Sequence, residues 1–334
     1  MKKVTMLDVA NHAGVSKSTV SQYLNKRYDY MAVETKSKIE EAIDELQYQP
    51  NIIARSLKVK STKTIGVIVA NILHEFSTQI IRAIEDVCHE LGFHIIVCNA
   101  DENPVKEEKY INMLYAKQVD GIIIFPTGEN IDLYKQLQSS KFPIVFMDRL
   151  VPEINIASIL LDNENASAVA VEEFITNGYS RIGIVTTSAF KNVTPRLERI
   201  SGYKKAMQKY DLSMVSDYIR SVESDSIQLE LKKMLSLPEP PQAILAGNDL
   251  ALIEILKFVK KAKLSIPGDI SVIGIDDVSF ADLYNPPLTT IKQPTFEMGK
   301  MAAELLLNKI DGADNVLPKN IYRFRPKLIR RSSC

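Results

Sequence analysis

The chain has 334 residues, enough for two or three domains at roughly 100–200 residues each. Its 41 Lys and Arg balance 41 Asp and Glu, so net charge selects no partner, and 46% hydrophobic with 25% charged residues is a globular rather than a disordered mixture. No apolar run approaches the ~20 residues needed to cross a bilayer, and the basic start Met1–Asp8 lacks the apolar centre and cleavage site of a signal peptide. A soluble, cytoplasmic protein is expected.

Cys88, Cys98 and Cys334 form neither an even set nor a C-x-x-C spacing, which excludes a disulfide framework and a zinc pattern. Of the four histidines, His89 and His94 are five apart with Gly92 between them, so one helix face cannot present both. H-E-x-x-H, G-x-S-x-G, Walker A and G-x-G-x-x-G matches are missing. The expectation is therefore a protein that is not an enzyme, with no cofactor and no metal.

The balanced charge conceals an asymmetry: residues 1–63 carry 11 basic and 7 acidic side chains, the remainder 30 and 34. A basic front on a mildly acidic body suits a nucleic-acid-binding module joined to something else. Three short helical patterns occupy that front. The first runs from about Met6 to Ala13, with Leu7, Ala10 and Ala13 inward, and Gly14 stops it. Ser16 is a suitable N-cap for the second, about Lys17 to Asn25, where Val20 and Leu24 repeat at i, i+4. The third, about Val33 to Leu46, places Ile39, Ala42, Ile43 and Leu46 on one face. Periodicity alone fits a plain three-helix bundle equally well. The turn of about three residues between the first two helices, and the donors and acceptors Lys17, Ser18, Ser21 and Gln22 on the second, favour a helix-turn-helix whose second helix enters the major groove.

Val4–Ser21, "VTMLDVANHAGVSKSTVS", closely resembles the N-terminal signature of the lactose–galactose repressor family of bacterial transcription regulators. Tyr48–Ile68, "YQPNIIARSLKVKSTKTIGVI", resembles that family's hinge and entry to its core, and the similarity extends over essentially the whole chain. The resemblance implies that positions 17, 18 and 22 read bases. Thr5, Ser16, Lys17, Ser18, Thr19, Ser21, Gln22 and Asn25 are the DNA-contact candidates of this domain. Gln22 stands where the family usually has Arg; Gln pairs with adenine and Arg with guanine, so the operator should differ at that base pair. Arg27–Met31 reads either as a loop packed on the third helix or as a further DNA contact.

Pro50–Leu57 reads as one or two helical turns, too short to be stable alone, before the Lys/Ser/Thr-rich segment Lys58–Thr64. The resemblance makes it a hinge helix that pairs across a dimer and enters the minor groove. Leu57 would be the wedge, Arg55 and Lys58 its phosphate contacts, and Asn51 and Ala54 further contacts. Such wedges unstack DNA at a cost of about a few kcal/mol per step, offset by contacts on the bent duplex.

From Ile65 onward, apolar strand patterns alternate with amphipathic helices, the signature of a buried parallel sheet. The pattern then recurs: "RIGIVTTS" (181–188) repeats "TIGVIVAN" (64–71), "QAILAGND" repeats "DGIIIFPT", and "ISVIGIDD" repeats "FPIVFMDR", at offsets that drift upward from 117 residues. Drift indicates two similar subdomains with unequal loops rather than a solenoid. The expected fold is α/β: a three-helix helix-turn-helix domain with a hinge helix, then two doubly wound parallel-sheet subdomains of periplasmic-binding-protein type. Expected boundaries are 1–49 for the DNA-binding domain, 50–63 for hinge and linker, 64–162 with 295–320 for the first core subdomain, and 163–294 with 321–334 for the second.

Two such sheets leave a cleft at the carboxyl ends of their strands. Asp148, Asn248 and Asp276 follow strands, and Arg196 and Arg199 begin a helix. Carboxylates accept from hydroxyls, an amide does both, and guanidinium donates in a fork, which together suit a polyhydroxyl ligand; alternatively such Asp residues cap the following helices. The resemblance places ligand contacts at Asp148, Arg199, Asn248 and Asp276, with loop residues near His74 and Phe76. Phe76 and Phe125 are either a stacking wall or core. Asp249 and Asp277 are expected to be structural. Arg149, Lys191, Arg196 and Arg199 incline the effector towards a sugar acid, and "SQYLNKRYDYM" resembles regulators of ketodeoxygluconate or gluconate use. The expected partners are double-stranded operator DNA, a small sugar or sugar-acid effector and a second copy of the chain, with no membrane and no tetramerising tail. The function expected is a repressor of a carbohydrate-utilisation operon. The alternatives are a sugar-binding or sugar-processing protein of the same core fold and a regulator controlled by a protein corepressor.

Overall fold

Side-chain caps start the helices at the front of the chain. In the computed structural model, which describes residues 4–49, 61–188, 193–312 and 320–334, the chain divides into two compact units, 1–62 and 63–334. In the first unit Thr5 and Asp8 close a reciprocal capping box at the start of α1 (Met6–His12), satisfying two of the backbone N–H groups that a helix start leaves open. Gly14, at φ +64°, makes the turn that a side chain with a Cβ resists. Ser16 then caps α2 (Lys17–Leu24) by accepting from the Thr19 N–H at 3.1 Å. With α3 (Val33–Glu45) these helices enclose a small core of Val9, Ala10, Ala13, Val20, Ile39, Ala42 and Tyr48. Leu7, expected inward, is 53% exposed. The inward stripe of α1 runs through Met6, Val9, Ala10 and Ala13, which is the i, i+3, i+4, i+7 row.

The second unit opens with β1 (Thr64–Val69), α4 (Glu75–Glu90), β2 (His94–Asn99), α5 (Pro104–Ala116), β3 (Gly121–Ile124), α6 (Ile131–Ser139), β4 (Ile144–Met147) and β5 (Ser158–Leu161). It continues with α7 (Asn163–Thr176), β6 (Ile182–Thr187), α8 (Thr194–Lys209), β7 (Ile219–Val222), α9 (Ile227–Leu235), β8 (Ala243–Ala246), α10 (Asp249–Ala262), β9 (Ser271–Ile275) and β10 (Thr289–Lys292). Then α11 (Thr295–Ile310) returns to the first sheet before β11 (Ile321–Phe324) and β12 (Lys327–Ile329). The strands form two six-stranded sheets, ordered β11-β5-β4-β3-β1-β2 and β12-β10-β9-β8-β6-β7. Strand for strand the second order repeats the first, as the repeated segments require. Both faces of each sheet are covered by helices, so β3, β4, β5, β6, β8 and β9 are buried along their whole length.

Two expectations are corrected. Residues 321–324, expected in the second subdomain, form β11, which pairs parallel with β5 in the first sheet, and the chain crosses only at Arg325–Pro326. The second sheet is also not wholly parallel, because β12 runs antiparallel to β10. The second difference follows from the first. The carboxyl ends of the two sheets face each other, so a strand that leaves the first sheet at that end enters the second from the same end, against its direction.

Candidate ligand cleft and nucleic-acid interface

The facing strand ends build the cleft. His74, Phe76, Phe125, Asp148, Arg196, Arg199, Asn248 and Asp276 all line one cavity, joined by Asn71, Arg149 and Gln293. The space among them is only about 40 Å³, room for a few waters at ~10–15 Å³ each. A ring the size of a pyranose has no room there while the two subdomains stand this close.

Contacts across the cleft hold them together. His74 precedes α4, and its Nδ1 lies 2.5 Å from Asp249 Oδ1, while the Glu75 N–H donates to Asp249 Oδ2 at 2.7 Å. Burial pushes the Asp249 carboxyl up, but the His74 bond and charge and the N–H groups of Glu75 and Leu250 outweigh it and hold it down. The Glu75 carboxylate in turn accepts from the Ser279 N–H at 3.0 Å. Asp249 is thus a latch, and Asp277, which accepts from Thr290 and pairs with Arg331 at 2.9 Å, is built into the second subdomain.

At α10 capping falls to the amide: Asn248 Oδ1 accepts from the Ala251 N–H at 2.8 Å, and its Nδ2 donates to Thr187 Oγ1. Arg199 is fixed from behind, donating through Nε to Asn163 Oδ1 at 2.9 Å and through Nη1 to the Gly247 carbonyl at 2.6 Å. Its Nη2 has no hydrogen bond among the described residues. Phe76 and Phe125 meet edge to face with centroids 6.3 Å apart, both nearly enclosed, so they are core and cavity wall at once.

Sequence reasoning missed two cleft residues. Glu102 takes both terminal nitrogens of Arg149, at 2.8 and 2.6 Å, and also Nη2 of Arg196 at 2.9 Å. Burial pushes its carboxyl up, but Arg149, then Arg196 and His74, prevail and hold it at about 2. Two cations that inclined the sequence reading towards a sugar acid are therefore already matched by one carboxylate. Gln293 is 4% exposed and donates through Nε2 to Asp276 Oδ1 at 2.5 Å. Among the described residues no group of three or more His, Cys, Asp or Glu side chains can hold a metal ion.

In the first unit the expected DNA contacts divide by duty. Thr5 and Ser16 hydroxyls cap helices, Ser18 and Thr19 hydroxyls bond Ser16 Oγ at 2.7 and 2.8 Å, and Asn25 Nδ2 donates to the Ser21 carbonyl at 2.7 Å. Lys17 and Gln22 are exposed and make no hydrogen bond or ion pair among the described residues. Tyr28 packs edge to face on Tyr23 and lies under Lys36 Nζ of α3, whereas Tyr30 is fully exposed. Asn51, Ala54, Arg55, Leu57, Lys58 and Lys191 lie outside the described residues.

Residues 5–51 match the model of bacterial regulatory proteins, lacI family, and residues 171–334 match the periplasmic binding protein-like domain. The chain is 48% identical over 332 residues to a probable HTH-type transcriptional regulator EndR of Paenibacillus polymyxa, covering 98% of each protein. The chain belongs to the lacI family of bacterial regulatory proteins. As a lacI-family member it is a DNA-binding transcription regulator, as its named relatives are, and not an enzyme. Its structure is similar to that of the Lac repressor dimer bound to operator and the anti-inducer ONPF, with TM-score 0.87, 27% identity and 99% of each chain covered. It is also similar to a transcriptional regulator CelR–cellobiose complex, with TM-score 0.73, 25% identity, 99% of this chain and 100% of that one covered. This lacI-family chain has, among its described residues, no helix long and apolar enough to cross a membrane.

Proposed function

We propose that this lacI-family regulator is a cytoplasmic homodimeric repressor of carbohydrate-utilisation genes, released from or directed to its operator by a sugar bound between the core subdomains. The observation that carries this reading is the convergence of Asp148, Arg199, Asn248 and Asp276 on one cleft, with the Phe76–Phe125 wall beside them. Acceptors, a forked donor and an aromatic wall match a ring that is polar at its edge and apolar on its faces. The likeness to a cellobiose complex supports the sugar class, and the likeness to an operator-bound dimer supports the assembly.

Glu102 favours a neutral sugar over a sugar acid. An anion would compete with it for Arg149 and Arg196, and would approach the Asp148 and Asp276 carboxyls. On the DNA side Lys17, Ser18 and Gln22 read bases, and Thr5, Ser16, Thr19, Ser21 and Asn25 hold the helix against phosphates. Leu57, flanked by Asn51, Ala54, Arg55 and Lys58, wedges the minor groove. The test is fluorescence anisotropy on operator duplexes selected from a random pool, repeated with a panel of sugars and sugar acids. A near-palindromic site whose affinity one sugar alters is expected. Equal affinity for random and selected duplexes, or a core that no sugar stabilises against heat, defeats the reading.

A further inference from the structure

A second and larger cavity, about 390 Å³, adjoins the cleft and shares Phe76, Asp276 and Gln293 with it. Beyond that common wall it is lined by Lys292 at the end of β10 and by Phe296 and Glu297 in the first turn of α11. We infer that this annex takes the second ring of the effector, so that the ligand is a neutral oligosaccharide of at least two sugar units rather than a monosaccharide. The inference rests on the reading of the cleft as a sugar site.

Size is the first ground: 390 Å³ falls within the ~300–1,000 Å³ of small-molecule sites. The second is Gln293. Its Nε2 is committed to Asp276, but its Oε1 is buried and has no hydrogen-bond partner among the described residues. A buried acceptor left without a donor is costly, and this one stands on the wall between the two cavities. Once the subdomains part to admit a ring, the hydroxyls of a ligand that spans the wall are the donors it lacks. The third ground is the lining. Phe296 is 54% exposed, an apolar ring open to solvent beside Glu297 and Lys292, neither of which has a partner among the described residues. An aromatic face receives the C–H face of a pyranose, while a carboxylate and an ammonium take its hydroxyl edge.

Isothermal titration calorimetry on the full-length protein tests this with glucose, galactose and xylose against cellobiose, lactose and xylobiose. At least one disaccharide should bind about tenfold or more tighter than every monosaccharide. Phe296→Ala, at an exposed position that the core does not need, should cost that disaccharide about tenfold and leave monosaccharide affinity unchanged. Glu297→Gln should act in the same direction. Equal affinity for the two sizes, or equal losses for both in Phe296→Ala, overturns the annex while leaving the cleft as the sugar site. Failure of all six sugars to bind protein that still binds its operator overturns the cleft reading and the annex together.

Discussion

Asp148 and Asp276 occupy the same place in the two halves of the core: each is the first residue beyond its strand, β4 and β9, and each has a left-handed backbone, at φ +66° and +92°. A side chain with a Cβ holds such a conformation at a cost of order 1 kcal/mol or more, and strained residues of this kind cluster at ligand sites. Both carboxyls line the cleft, and burial pushes both upward in pKa. Two strained, desolvated acids thus stand at its two lips, each short of hydrogen-bond donors.

Asp276 makes the cleft sensitive to pH. Burial first, and then the Asp249 carboxylate, raise it to about 6, against the opposing influence of Arg199, the Gln293 hydrogen bond and His74. A carboxyl raised in the folded state binds more protons than the unfolded chain does between about pH 4 and 6. Its contribution to stability is therefore complete below about pH 4 and is lost as the pH rises through 6. A ligand hydroxyl donates more strongly to the ionised form, so effector affinity should fall as the pH drops from about 7 through 6. Asp276→Asn should bind the effector more weakly at neutral pH and show a flatter profile. Calorimetric titrations and urea unfolding from pH 4.5 to 7.5 on both proteins check the two signs, and an unchanged profile in the variant would discard Asp276 as the titrating group.

Glu102→Gln releases Arg149 and Arg196 from their shared carboxylate. Because Arg149 is buried, the loss should cost up to about 3 kcal/mol of core stability, below the usual ~3–5 for a wholly buried pair because Glu102 keeps 28% exposure. The freed guanidiniums should also admit glucuronate or gluconate, which Glu102 should exclude from the parent protein. Adding either acid should raise the variant's Tm by several degrees and leave the parent's unmoved. No response from the variant would mean that Glu102 does not set the charge of the ligand.

The two sheets are legible in the sequence because their strands are continuous apolar runs and recur in one order. β11 is not: Ile321, Tyr322, Arg323 and Phe324 alternate at a sheet edge, a pattern that either sheet could accept. The cleft is legible where strand ends carry polar residues. Glu102 is hidden because it sits in a turn, with Asp101 and Glu102 both at positive φ, that brings it to arginines 47 and 94 residues away. Gln293 is hidden differently. It lies between β10 and α11, and its unpaired oxygen is a property of packing, not of spacing.

Gly202 is where α7 and α8 touch. A Cβ there would lie 2.2 Å from the Glu164 carbonyl oxygen and 2.6 Å from its Cα, backbone atoms that no rotamer can move aside. Gly202→Ala should lower core stability by about 1–3 kcal/mol by forcing the helices apart, although Ala is the better helix former. Denaturant unfolding measures the loss. A stabilised variant would show that these helices do not approach so closely.

Lys17 and Gln22 should separate affinity from specificity on the second helix. Both are exposed with their polar ends unengaged, whereas Ser16, Thr19 and Asn25 spend theirs on the helix itself. Ser18 and Gln22, four apart, share the face that a major groove would meet. Gln22→Ala removes a bidentate partner suited to adenine, so it should lose about 1–3 kcal/mol on the best operator and far less on a duplex altered at that base pair. Gln22→Arg should move the preference there towards guanine. Lys17→Ala removes a base contact and a positive charge together, so affinity should fall on every duplex, most on the best operator, and the slope of log K against log salt should become shallower by about one. Anisotropy titrations of the parent and the three variants on three duplexes at four salt concentrations contain all of these comparisons. A uniform loss in Gln22→Ala, with no change in base preference, would make Gln22 a backbone contact and return the choice of operator to Ser18 or to the hinge.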